Sequence, residues 1–159
     1  MKRVTTLLIV AMTMSPGLIL AQSQDEIEIV QLILDSDTLI NETKVASPEA
    51  YSEHGALEFW SSGGLLQEIP PGGRTTEFDD VNLHSKHIRV ISLVEGQAAV
   101  AHFYSEGSMT PKGSAPVDNY LTRVTQVYVK ENGEWKLRSS HWSRVLGGSG
   151  TSQTAQQNE

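Results

Sequence analysis

Apolar residues recur as Ile27, Val30 and Ile33/Leu34 between Asp25 and about Thr43, with polar residues between them, and this spacing predicts an amphipathic helix. Ser23 with Glu26 three residues on makes a capping box at its start. Ser47-Pro48-Glu49 reads as a second cap, with proline in the first turn, and predicts a helix through Tyr51, Leu57, Phe59 and Trp60 that Gly63-Gly64 stops. Ile69 to Gly73 is a Pro/Gly loop. From about Val81 the period changes to two. His87–Val94 and Ala98–Ser105 flank Glu95-Gly96-Gln97 as one hairpin. A Gly/Ser/Pro loop (Gly107–Pro116) leads to a second, Tyr120–Lys130 and Glu134–Val145, turned by Asn132-Gly133. Helices followed by an antiparallel sheet predict an α+β domain with the helices packed on a curved sheet that leaves a cavity.

The two ends of the chain read differently. Lys2 and Arg3 precede an apolar stretch, Val4 to Leu20, interrupted by Pro16-Gly17, so residues 1–21 are expected to be a signal peptide, with cleavage as late as residue 23. The domain is expected over 22–146, and the Gly/Ser/Thr/Gln-rich stretch 147–159 is expected to be a disordered tail. The interrupted apolar stretch argues against stable membrane insertion. The chain has 0 cysteines, which rules out disulfides, thiolate sites and a lipid anchor on Cys, so a periplasmic or secreted protein is expected. Without Lys2 and Arg3, 10 basic residues face 19 acidic ones, a net charge of −9. That sign and the lack of a basic run argue against nucleic acid as a partner.

Two segments carry a family resemblance: "EGQAAVAHFY", then "TRVTQVYVKENGEWKLRSSHWS", in which Gly133-Glu134-Trp135 is followed by His141 and Ser143. Over Gln24–Arg144 the chain resembles the nuclear transport factor 2-like superfamily, in particular its SnoaL-like branch and the association (hub) domain of calcium/calmodulin-dependent protein kinase II. The resemblance implies a cone of N-terminal helices held by a strongly curved, mainly antiparallel sheet, a pocket between them, and a homodimer or larger homo-oligomer. It also implies that the hub's three carboxylate-binding arginines fall on Tyr104, Gln126 and Trp142, none of them cationic. Members include isomerases, dehydratases and proteins without catalysis, so fold alone does not choose among them.

Strand alternation puts His102 and Tyr104, Val124 and Gln126, and Arg138, Ser140 and Trp142 on one face, with Trp135, Leu137, Ser139 and His141 on the other. The candidate ligand-binding set is Tyr51, Trp60, Tyr104, Gln126, Arg138 and Trp142, with Arg138, Gln126 and Tyr104 orienting the polar end of a small organic molecule. His102 as base and Tyr104 as hydrogen-bond donor form the candidate catalytic pair of a cofactor-independent isomerase or dehydratase; the bland alternative is two half-buried strand residues. No Asp or Glu on the strands joins them. Glu53 and His54 are read as a solvated helix face. His84 and His87 lack a third ligand of suitable spacing, so no metal is expected. Neither Gly63-Gly64 nor Gly72-Gly73 has phosphate-loop context, no Gly-x-Ser-x-Gly precedes the tail, and no cofactor is expected. The leading expectation is an exported small-molecule-binding domain. The alternatives are the isomerase or dehydratase and a homo-oligomeric assembly module.

Overall fold

The structure is a computed structural model that describes residues 23–145. The signal peptide expected over 1–21 and the tail expected over 147–159 lie outside the described residues. One helix, α1 (Gln24–Thr43), is followed by β1 (Val45–Ala46), a 3-10 turn (Pro48–Ala50), β2 (Ala56–Phe59), β3 (Gln67–Ile69), β4 (Thr76–Val94), β5 (Ala98–Pro111), β6 (Val117–Glu131) and β7 (Glu134–Arg144). The strands form one strongly curved half-barrel in the order β1-β4-β5-β6-β7-β2-β3. Its pairings are antiparallel except β2 with β7.

Helix α1 starts where the sequence predicts. The Ser23 hydroxyl accepts from Glu26 N–H (3.2 Å) and the Glu26 carboxylate accepts from Ser23 N–H (3.3 Å), which satisfies two otherwise orphan donors. Its buried stripe is rotated from the expected one. Ile29 and Ile33 are buried against Ala99, Ala101, Phe103, Val124, Tyr128, Trp135 and Leu137, whereas Ile27 is 50% exposed. The polar residues of the helix decide this rotation, because they cap the free edge of β4. Lys44 Nζ donates to Val81 O (2.7 Å). The Asn41 amide both accepts from Leu83 N–H and donates to Leu83 O (2.8 Å each), and Asp37 accepts from Ser85 N–H (2.6 Å). At the other end Asp25 accepts from Ser92 Oγ (3.0 Å) and Gly96 N–H (2.8 Å). An uncovered strand edge leaves such groups unpaired, so helix and edge strand are matched along their length.

The second predicted helix is not formed. Ser47 caps only the 3-10 turn, Tyr51 is already extended (φ −85°, ψ 153°), and Gly55 adopts φ 75°, a conformation that halts a helix. Ala56–Phe59 then alternates buried and exposed as a strand. The open edge of β7 decides between the two periods. Leu57, Glu58 and Phe59 pair in parallel with Ser139, Ser140 and His141.

Both predicted hairpins are present, and Asn132 (φ 52°) and Gly133 (φ 87°) turn β6 into β7 with positive φ at both positions. The strands run further than expected, so the loop expected over Gly107–Pro116 shrinks to residues 112–116. Gly107 lies inside β5 with φ 141°, and a Cβ there would sit 1.9 Å from Asn82 O, a close approach that only glycine permits.

Of the irregularities in the ladders, one in β4 and one in β7 exchange the faces of these strands beside the inner rows. In β4, Lys86 pairs with Tyr104 and Arg89 with His102, with His87 at φ 56° inside the shift. Inward positions are therefore Val81, Leu83 and Ser85 before it and Ile88, Val90 and Ser92 after it. In β7, Leu137 pairs with Tyr128 and Ser139 with Val127, which leaves Arg138 as the extra residue. Trp135 and Leu137 thus face inward along with Ser140 and Trp142, although simple alternation separates them.

Candidate functional site

Three transverse rows make up the middle of the inner face. The first is Ala99, Tyr128, Leu137 and, through a single bridge, Tyr51. Ala101, Gln126, Ser140 and Glu58 form the second, and Phe103, Val124 and Trp142 the third, with Trp60 just beyond the end of β2. Residues directly opposite across a ladder share a face. Gln126 and Trp142 therefore stand together, and Tyr51 and Trp60 reach the same end of the face from the β2 side.

Glu58, only 4% exposed, ties this end together. Its carboxylate accepts from Ser140 Oγ (2.7 Å), Trp60 Nε1 (3.0 Å) and Tyr51 OH (3.4 Å to each oxygen), and Ser140 Oγ in turn accepts from Trp142 Nε1 (3.2 Å). Donors to a charged acceptor are each worth roughly 1.5–3 kcal/mol, which is what makes a buried carboxylate tolerable. One acidic group thus fixes the orientation of three aromatic side chains. Burial, then the Glu58 charge, push the Tyr51 phenol up to about 12, with Arg74 opposing, so the hydroxyl stays protonated and donates at neutral pH. Phe103 meets Trp142 edge-on at 6.2 Å, and the Arg74 guanidinium lies 4.4 Å above the Trp60 ring. In the neighbouring row Tyr128 OH donates to Gln126 Oε1 (2.7 Å), and burial, helped by the charge of Asp37, raises the Tyr128 pKa.

The expected catalytic pair lies elsewhere. His102 pairs with Thr125 and Tyr104 with Arg123, on the outer face, one position out of step with Ala101–Gln126 and Phe103–Val124. His102 Nδ1 lies 3.0 Å from Thr125 Oγ1, and Tyr104 is 43% exposed with His87 edge-on at 6.1 Å. Neither faces Gln126, Ser140 or Trp142. The residues between them, Ala101 and Phe103, take the inward positions because they are the apolar ones. Arg138, the extra residue of β7, donates to Gly55 O (2.9 Å) and so holds the turn into β2. His141 packs edge-on against Phe59 on the outer face. Glu53 and His54 form an exposed pair at 3.6 Å, outside any helix. Among the described residues no group of three His, Asp or Glu side chains could hold a metal ion, and no helix is long and apolar enough to cross a membrane.

Glu58 and Arg74 are the residues of the candidate site that sequence reasoning missed, and Ser140 was placed on this face without a role. The signal for Glu58 was present: in Ala56-Leu57-Glu58-Phe59 the polar residue shares its period-two face with alanine, not with the larger apolar pair. A cleft of about 280 Å³ is walled by Tyr51 together with Glu49, Glu53, Glu131, Glu134 and Lys136, and Trp60 and Trp142 do not line it. Glu131 there is already engaged by Ser52 Oγ (2.5 Å) and Glu53 N–H (2.8 Å).

No family model and no curated protein sequence matches the chain. Solved structures do. An NTF2-like protein of unknown function from Pseudomonas putida shares 17% identity at a TM-score of 0.52, over 80% of this chain and 93% of that one. The chain has the nuclear transport factor 2-like fold. An NTF2-like protein of unknown function from Prochlorococcus marinus gives 17% identity and a TM-score of 0.51 over 84% of this chain and 98% of that one. The CaMKII hub homology domain of Chlamydomonas reinhardtii gives 16% and 0.52 over 77% of this chain and 99% of that one. Within the NTF2-like fold, this domain closes the inner face of its sheet with a single long helix and a 3-10 turn.

Proposed function

We propose that this NTF2-like domain is exported and binds a small, mostly apolar organic molecule at the end of the inner face where Tyr51, Trp60 and Trp142 converge. The observation that carries this is Glu58, whose hydrogen bonds hold Tyr51 and Trp60 directly and Trp142 through Ser140. Aromatic walls fixed in advance lose little entropy when a ligand arrives, and polar groups few in number set its orientation. All three donors to Glu58 are neutral side chains that it already occupies, so the carboxylate acts as an organiser of the walls and the domain as a binder. The isomerase or dehydratase reading is the less favoured one, since His102 stands on the opposite face of the sheet from this cluster.

Assembly of identical copies is favoured by a separate observation. The outer face carries Ile91, Val100, Val127, Ser139 and Leu57 in one row, with Phe59 at the end of the next, and Ile91 (53%), Phe59 (46%) and Leu57 (42%) are exposed. A largely apolar row exposed on a sheet suits a second copy of the same face. The fold likeness to a hub homology domain supports that reading. Native mass spectrometry of the secreted protein tests both at once: a dimer or larger ring with a reproducible adduct of a few hundred daltons is expected, and Trp142→Ala removes the adduct but keeps the oligomer. Empty monomers would contradict both. N-terminal sequencing of the same sample is expected to start at Gln22 or Gln24; an intact Met1 in medium or periplasm would contradict export through a cleaved signal.

A further inference from the structure

Arg74 is the one described residue with a side-chain polar atom that is buried and without a hydrogen-bond partner. Its Nη2 is shut off from water and meets no acceptor among the described residues, while its guanidinium plane is held 4.4 Å above Trp60. The backbone that delivers it is fixed as well. Gly73 (φ 75°) lies so close to Pro48 that a Cβ would be 2.3 Å from Pro48 O, so the segment entering β4 has no slack at this point. Leaving a charged N–H donor buried and unpaired is costly, on the order of 1–3 kcal/mol or more. A donor so placed, against the ring that Glu58 anchors, lacks an acceptor among the described residues and has room in its chemistry for one brought by a ligand.

Charge decides what kind of acceptor. Trp60 is shared: its ring carries the Arg74 cation and its Nε1 donates to the Glu58 carboxylate at 3.0 Å. Positive and negative charge are therefore already balanced across one indole. A ligand bringing a full negative charge meets the Glu58 carboxylate beside it, and a cationic ligand meets the guanidinium. A neutral oxygen meets neither penalty and supplies the missing lone pair.

Resting on the small-molecule reading above, we infer that Arg74 is the polar recognition residue of the site, and that it takes the carbonyl oxygen of an uncharged ligand whose apolar body lies along Trp60 and Trp142. Sequence reasoning gave the orienting role to Arg138, but that guanidinium is engaged by Gly55 O on the turn into β2. Arg74 would donate from Nη2, with the planar fork keeping the carbonyl in line with the Trp60 edge.

The test is an NMR titration of the natively produced, ¹⁵N-labelled chain with acetophenone, toluene and benzoate, which share a ring and differ in the acceptor. The Arg74 Nε–H and the Trp60 and Trp142 indole N–H signals are followed. Acetophenone is expected to move all three and to bind about tenfold more tightly than toluene, the size of one charge-assisted hydrogen bond, with benzoate weaker than acetophenone. Arg74→Lys, which keeps the charge but loses the fork, is expected to abolish the preference over toluene. The ligand series on the unaltered protein carries the test even if that variant folds poorly. Equal binding of toluene and acetophenone with Trp142 still shifting, or benzoate binding most tightly, would overturn the Arg74 assignment and leave the pocket standing. No movement of the indole signals with any of the three would overturn both.

Discussion

The two faces of β5, β6 and β7 are built from alternate residues of the same short segments, yet they differ in what they can do. Inward, Phe103, Val124, Gln126, Ser140 and Trp142 are buried or half-buried, and Trp142 connects through Ser140 to Glu58. Outward, His102, Tyr104, Arg123 and His141 are exposed and make single, local contacts. Titratable side chains by themselves do not make a site. The two histidines stand on the face without a shared organiser, while Tyr51, Trp60 and Trp142 on the other face are oriented by one carboxylate.

The sharpest way to break the comparison is to cut neighbouring residues on opposite faces. Phe103→Ala is expected to cost about 3–5 kcal/mol of stability as a buried aromatic truncation, and Tyr104→Ala within about 0.5 kcal/mol as a surface change; urea melts with equal slopes measure both. Similar costs would mean that the outer face is as buried as the inner one. Next in size, Glu58→Gln turns one acceptor oxygen into a donor facing Ser140, Trp60 and Tyr51. A loss of about 1–3 kcal/mol is expected, together with a weakened near-UV signal from the two tryptophans. Unchanged stability and spectrum would remove Glu58 as the organiser.

The pH dependence bears on how α1 closes the inner face. Glu28 accepts from Lys130 Nζ (2.8 Å) and Trp135 Nε1 (2.9 Å), and these bonds, that from Lys130 first, lower its pKa from 4.5 to about 2. A carboxyl lowered in the folded state contributes stability that is present above pH 4.5 and lost as the pH falls toward about 2. Glu28→Gln is therefore expected to be less stable than the parent at neutral pH and to converge with it in acid. A constant gap across that range would contradict the ion pair. The smallest effect on folding is expected from Leu57→Lys on the outer face: within about 0.5 kcal/mol in a monomer, but a lower mass by light scattering if copies meet there.

Much of the fold was legible because the relevant signals are local. The Ser23–Glu26 cap, the Asn132-Gly133 turn and the long period-two runs each announce themselves within a few residues. The site was legible only in part. Tyr51, Trp60, Gln126 and Trp142 were singled out; Gln126 and Trp142 share the inner face, and Tyr51, Trp60 and Trp142 are linked through Glu58 and Ser140. His102 and Tyr104 were placed with them because alternation within a strand does not fix its register against the next, and β5 meets β6 one position away from the pairing assumed, with Ala101 opposite Gln126. Arg138 was placed there because alternation was carried through the irregularity of β7, which has no local signature. Glu58 was lost for another reason. Its strand is four residues long and owes its existence to a parallel partner about 80 positions away, at Ser140. Helix-like spacing from Tyr51 to Trp60 then outweighed a period-two pattern too short to stand alone. Arg74 carried no sequence signal, since its importance lies in an unmet hydrogen bond.

The central claim is that ligand chemistry belongs to the inner face. Native mass spectra of the parent, Trp142→Ala and His102→Ala, prepared side by side, test it most directly. An adduct present in the parent and in His102→Ala but absent from Trp142→Ala is the predicted result. An adduct that survives Trp142→Ala and disappears in His102→Ala would place the chemistry on the outer face and contradict the account.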